Sequence, residues 1–134
     1  FAQATTALYA DLAENYLGDA DYASGTVLDF GGTQEVTIST VDSSKRVAGV
    51  VSTNPAHLMN AGVVGEHVVT VALIGRVPVS VTGTVRKGDL MVSAGDGTAR
   101  AVTIASPKVG TIIGKSLEDF DGDKGTIEIV IGKH

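Results

Sequence analysis

The sequence predicts an all-β fold, a compact β-barrel or sandwich of short strands preceded by an N-terminal junction segment. Three observations carry that expectation. From Gly25 onward, short runs rich in Val, Ile and Thr recur between turn residues: "GTVLDFGG", "EVTIST", "RVAGVVS", "HVVTVALIGRVPVSVTG", "GDLMVSAGDG", "VGTIIGKSLE" and "GTIEIVIG". Glycine, with 17 copies in 134 residues, supplies the punctuation between them. Aromatic residues make up only 4% of a chain that is 43% hydrophobic, so the core must be aliphatic and β-branched.

The chain is short enough for one hydrophobic core and is treated as a single domain overall. Residues 1–22 form a junction or docking segment and residues 23–134 a β-rich terminal domain. The junction segment contains "LYADLAENY" at 8–16 and all three tyrosines, Tyr9, Tyr16 and Tyr22. It satisfies two local readings. In a short helix Leu8, Leu12 and Tyr16 recur every four residues, with Thr6 as cap and Gly18 as stop. In a strand Leu8, Ala10, Leu12, Glu14 and Tyr16 share one face and Asp11 takes the other. Both readings stay open.

Further along, "NPAHLMN" at 54–60 is expected to hold one helical turn, capped by Asn54 with Pro55 at its first position. Pro78 cannot donate to a ladder, so it is expected to mark an edge, a bend or a bulge, with "GRVPVSV" as two strands meeting at a corner. "AGDG" at 94–97 and "DGDKG" at 121–125 read as hairpin turns. A faint echo links "ASGTVLDFGG" with "RKGDLMVSAGDG" and favours a compact barrel.

Composition excludes several classes. There is no cysteine, hence no disulfide and no thiol chemistry. His57, His67 and His134 lack metal-motif spacing, and neither a cofactor nor a metal is expected. No apolar run reaches the roughly 18–20 residues of a membrane span, so no membrane insertion is expected. The net charge of −5 concentrates at the start, where Asp11, Glu14, Asp19 and Asp21 meet no base in the first 22 residues. Without a basic patch or a run of stacking aromatics, nucleic acid is not an expected partner. The chain opens on Phe rather than Met and is expected to be a piece of something longer.

Asp11 and Glu14 are the candidate chemical residues, two carboxylates in a partly apolar, tyrosine-bearing stretch where burial can raise one pKa while the other stays ionised. The competing reading is two solvated acids. "DFDGDKG" at 119–125 alternates carboxylates like a calcium loop, but Lys124 and Val130 occupy the positions where Gly and Glu are needed, and a turn is the simpler reading of Asp119 to Asp123. Ser52 and His57 lack a nucleophile elbow, and Arg86 with Lys87 reads as a solvated turn.

The succession "YADLAENY", "GTVLDFGG", "RVAGVVSTNPAHLMN", "ALIGRVPVSVTGTVRKGDLMVSA", "VGTIIGKSLED" and "GTIEIVIGKH" resembles the C-terminal domain of phage tail fibre and appendage proteins. It is also similar to the pre-neck appendage autoproteolytic domain, a glutamic peptidase and intramolecular chaperone. The resemblance covers nearly the whole chain. It implies a structural virion component: a homotrimer that terminates a tail fibre or appendage, joins an upstream shaft, assists fibre folding and takes part in host attachment. The implied alternatives are a self-cleaving chaperone and a module that binds a host cell-surface glycan. In self-cleaving members the cut falls before the Asp of a Ser-Asp-Tyr-Ala-Glu run. Carried over, this names the bond after Ala10, with Asp11 as the residue after the cut and Glu14 as the acid or base. Here Ala10 replaces the Ser and Leu12 the Tyr, and loss of the serine removes a hydroxyl that would assist acyl shift. A noncatalytic role is therefore the leading expectation.

Overall fold

The computed structural model describes residues 10–103 and 107–132. Among these there is no helix, and the chain forms ten strands: β1 (Ala10–Leu17), β2 (Val27–Phe30), β3 (Val36–Ile38), β4 (Val47–Val51), β5 (His57–Met59), β6 (Val68–Thr82), β7 (Leu90–Ser93), β8 (Ala99–Ala101), β9 (Ile112–Ser116) and β10 (Lys124–Ile131). The all-β expectation holds, in its barrel form. Strands β6, β10, β9, β7 and β8 pair in a closed ring of five, which leaves no free edge in that half.

The 15-residue β6 is the spine of the molecule. Its second half belongs to the closed ring, where residues 75–82 pair with β10 and Val81 with Ala99 of β8. Its first half carries β1 along one edge and β4 on the other, followed by β2 and β3. This half also curls back on itself. Gly18 bridges Val36, and the Glu35 N–H donates to the Leu17 carbonyl at 2.9 Å. The two echoing segments supply β2 to the first half and β7 to the second.

Alternation along β6 places Val69, Val71, Val77, Val79 and Val81 inside. They divide between two apolar clusters. The larger adds Val85, Met91, Ile113, Ile127 and Ile129 within the closed ring, and the smaller unites Leu28, Val36, Val51, Val69 and Val71. Tyr16 and Tyr22 pack on the smaller cluster and tie β1 and the turn after it to that core. Tyr9, Leu8 and the Thr6 cap lie outside the described residues.

One open reading is decided and two local expectations are corrected. Of the two readings of the opening segment the structure takes the strand over Ala10–Leu17, because all eight residues pair with β6. The helical turn at 54–60 is not formed. The Ala56 N–H donates to the Asp11 carbonyl at 3.0 Å, which draws His57–Met59 alongside β1 as the parallel strand β5. Pro78 makes no corner, because β6 runs unbroken through it. Ser80 donates its N–H to Gly25, so the missing N–H of Pro78, two residues back, faces the same edge. On that edge β1 has ended at Arg76 and β8 has only reached Val81, so no ladder bond is lost. The irregular point is Gly75, at φ +112, beside the register shift between Leu12 and Ala13. "AGDG" closes the β7–β8 hairpin as expected. "DGDKG" ends a longer β9–β10 connection, tied down where Phe120 bridges Val85.

Candidate functional site

Strand β1 places the two candidate carboxylates on opposite faces. Asp11, Ala13 and Asn15 are buried, whereas Leu12, Glu14 and Tyr16 are partly exposed. Three steps along the strand separate Asp11 from Glu14, roughly 10 Å. The structure therefore does not bring them together within one chain.

Asp11 is 3% exposed, and neither carboxylate oxygen has a hydrogen-bond partner of ordinary geometry. It stands opposite Gly75, whose lack of a side chain lets the strands close in. A Cβ on Gly75 would stand 2.3 Å from the Ala10 carbonyl oxygen. Burial pushes the Asp11 carboxyl above its ordinary pKa. The nearby Ser52 hydroxyl and the backbone N–H groups of Asp11 and Ala56 offset that only in part. An acid held toward its neutral form thus adjoins the Ala10–Asp11 peptide.

Glu14 accepts a hydrogen bond from the Tyr16 hydroxyl at 2.9 Å. The Tyr16 pKa is pushed up to about 12, first by burial, then by this bond and by the charges of Glu14 and Glu35. Glu35 in turn accepts the Leu17 N–H at 2.8 Å. Glu14 is thereby held beside a tyrosine on the face away from the peptide after Ala10.

The remaining sequence candidates are dispersed. Ser52 is buried near Asp11 while His57 lies on exposed β5. Asp119 accepts the Lys87 N–H at 2.8 Å, and Asp121 pairs with Arg86 through two bonds of 3.0 and 3.2 Å. Those carboxylates serve the neighbouring turn, and no cluster of three or more metal-ligating side chains occurs among the described residues. Sequence reasoning missed a polar group just after β1. Asp19 accepts the Tyr22 hydroxyl, which with Thr37 lowers the Asp19 pKa, and Asp21 lies 3.0 Å from His67 Nδ1, which raises the His67 pKa. The local density of acids at 19–21 was the available signal, but the long-range partners Thr37 and His67 had none.

Comparison with protein-family models and with curated proteins finds no match for this chain. The class that fold and site define is an all-β protein in which a closed five-strand barrel continues through its longest strand into five further strands of the same sheet.

Proposed function

We propose that this chain is a structural virion component, the trimerising terminal domain of a phage tail fibre or appendage, joined to a shaft through the segment leading into β1. The sequence resemblance supports the reading, and one geometric observation carries it to a surface. Ile74, 59% exposed, stands directly opposite half-buried Leu12, and exposed Met59, in register with Glu14 on the same face, continues the apolar strip on β5. The outer edge of β5 pairs with no other strand among the described residues. An apolar strip beside an open edge suits contact with further copies of the same chain. Light scattering and sedimentation equilibrium test this: a trimer at micromolar concentration is expected, and Ile74→Asp with Met59→Asp should shift it toward monomer. A wild-type chain that sediments as a clean monomer refutes the proposal.

The second reading is self-cleavage after Ala10, and the buried, unpartnered carboxyl of Asp11 favours it. Within one chain Asp11, rather than Glu14, is the acid beside that peptide. Glu14 reaches the peptide only if another copy supplies it. Mass spectrometry of a longer chain should show a new N-terminus at Asp11 that Asp11→Asn abolishes. An intact wild-type chain, or equal cutting by the variant, ends this reading.

A further inference from the structure

The chain contains two Asp-Gly steps, Asp96–Gly97 and Asp121–Gly122, and the fold treats them differently. We propose that Asp121–Gly122 is a site of spontaneous covalent modification, where aspartate converts through a cyclic imide to isoaspartate, with the Arg86 guanidinium as the brake.

The chemistry needs a neutral aspartic acid followed by a free backbone nitrogen. The Gly122 nitrogen attacks Cγ of Asp121, a C–N bond forms, and the hydroxyl of the acid leaves with the amide proton as one water. A second water then opens the five-membered ring. Cleavage of the new C–N bond restores aspartate, whereas cleavage of the original peptide bond leaves the chain running through the side chain. Water lost equals water gained, and no oxidant or reductant takes part. Glycine favours the step because no Cβ crowds its nitrogen.

At Asp96 both reacting groups are occupied. Its Oδ1 accepts the Thr98 N–H at 3.2 Å and the Thr98 hydroxyl, and its Oδ2 lies 3.2 Å from Lys124 Nζ. The Thr98 hydroxyl first, and Lys124 after it, hold this carboxyl below its ordinary pKa. Gly97 is buried and donates its N–H to the Ser39 carbonyl at 3.0 Å. Asp121 is the opposite case. Its side chain is 69% exposed, Gly122 is exposed, and no carbonyl of the described residues accepts the Gly122 N–H.

The free step lies between two anchors. Phe120 and Val85 exchange N–H bonds of 2.8 Å, and the Asp123 carbonyl accepts the Gly83 N–H at 3.2 Å and the Thr82 hydroxyl at 2.7 Å. Between them the Asp121 carboxylate is held by the Arg86 fork at 3.0 and 3.2 Å. Both side chains are more than half exposed, so the fork is a weak restraint that salt screens. It nevertheless favours the charged carboxylate, which has no hydroxyl to lose. Isoaspartate inserts one extra backbone atom between the anchors. The Val85 pair precedes the insertion and stays, while the Asp123 bonds and the Lys124–Thr82 rung that opens β10 shift out of register.

The step is complete within one chain, so the inference stands apart from the trimer reading. Peptide mapping of the whole chain kept in heavy-oxygen water, native and in denaturant, tests it: each ring opening leaves one heavy oxygen, and isoaspartyl peptides separate by chromatography. Both steps should react in denaturant. Folding should slow Asp121 by no more than about fivefold, the most that an exposed ion pair accounts for, and Asp96 by more than about tenfold. Arg86→Ala, its fold checked by circular dichroism, should speed native Asp121 about two- to fivefold, and added salt should speed wild type but not this variant. Asp121→Glu keeps the acid but not the five-membered ring and should take up no label there. In the isomerised chain, hydrogen exchange should quicken at Gly83 and stay slow at Val85. The proposal is overturned if folding protects Asp121 as strongly as Asp96, if Arg86→Ala and salt both leave the native rate unchanged, or if Asp121→Glu labels equally.

Discussion

Replacing Gly75 with Ala should destabilise the protein by about 2–6 kcal/mol, and the structure separates this into two parts. Gly75 adopts φ +112, where any L-residue is strained by roughly 1–3 kcal/mol. The new methyl would also stand 2.3 Å from the Ala10 oxygen and 2.7 Å from Asp11 Cα. Both are backbone atoms, so no rotamer relieves the contact, and forcing β1 away adds roughly 1–3 kcal/mol more. Gly83→Ala is the matched control. Gly83 has φ +79 with nothing within 4 Å of its added Cβ, so only the dihedral part remains, about 1–2 kcal/mol. Equilibrium urea unfolding of both variants gives the difference directly, and thermal midpoints should separate by about 2–6 °C for each kcal/mol. Hydrogen exchange in Gly75→Ala should accelerate along β1 more than along β10. A loss no larger than that of Gly83→Ala would refute the claim that close approach at the Ala10–Asp11 peptide is what demands glycine.

Asp11 gives a pH prediction of definite sign. Its carboxyl holds a proton more tightly in the folded state than in the unfolded chain, where it titrates near about 3.9. Its contribution therefore favours the fold below that pH and declines as pH rises through the folded value. Wild type should lose ground to Asp11→Asn as pH rises from about 4, and a pH-independent difference between the two would contradict the burial argument. Ultraviolet titration should show a tyrosine ionising at about 12 that Tyr16→Phe removes. That proton also stabilises the fold, with the benefit lost as pH climbs from the unfolded value of about 10 toward 12. Arg100→Ala releases bonds of 2.7 and 2.9 Å to Asp42 and the tie to Ser43. Because Asp42 is half exposed, the loss in chemical denaturation should be only about 0.5–1 kcal/mol, and smaller at high salt.

Much of the fold was legible because one rule, alternation with period two, runs through β6 and β10 and buries their odd-numbered branched residues. The junction segment was ambiguous for a physical reason. A repeat of four residues at Leu8, Leu12 and Tyr16 nearly fits a helical turn and fully fits a strand, and only the β6 ladder decides between them. The strand reading nevertheless anticipated that Asp11 and Glu14 face opposite ways. "NPAHLMN" misled because its cap and proline are local signals, overridden by a bond from Ala56 to Asp11 across 45 positions. Pro78 does face an unpaired stretch of edge, and only the corner read from it was wrong, because its tolerance depends on a gap between two other strands. The orphaned oxygens of Asp11 and Asp29 are likewise consequences of distant neighbours, and no spacing in the chain announces them.

The shared spine also determines how the molecule carries load. Ala10 pairs with Arg76 on one edge of β6, and Ile131 pairs with Gly75 on the other, so the two ends of the described fold meet across a single strand. Because Ala10 and Ile131 lie at the same level of β6, tension between them acts across the strands and not along them. It loads the pairs at Arg76 and Gly75 first, and β1 and β10 part from β6 one ladder step at a time.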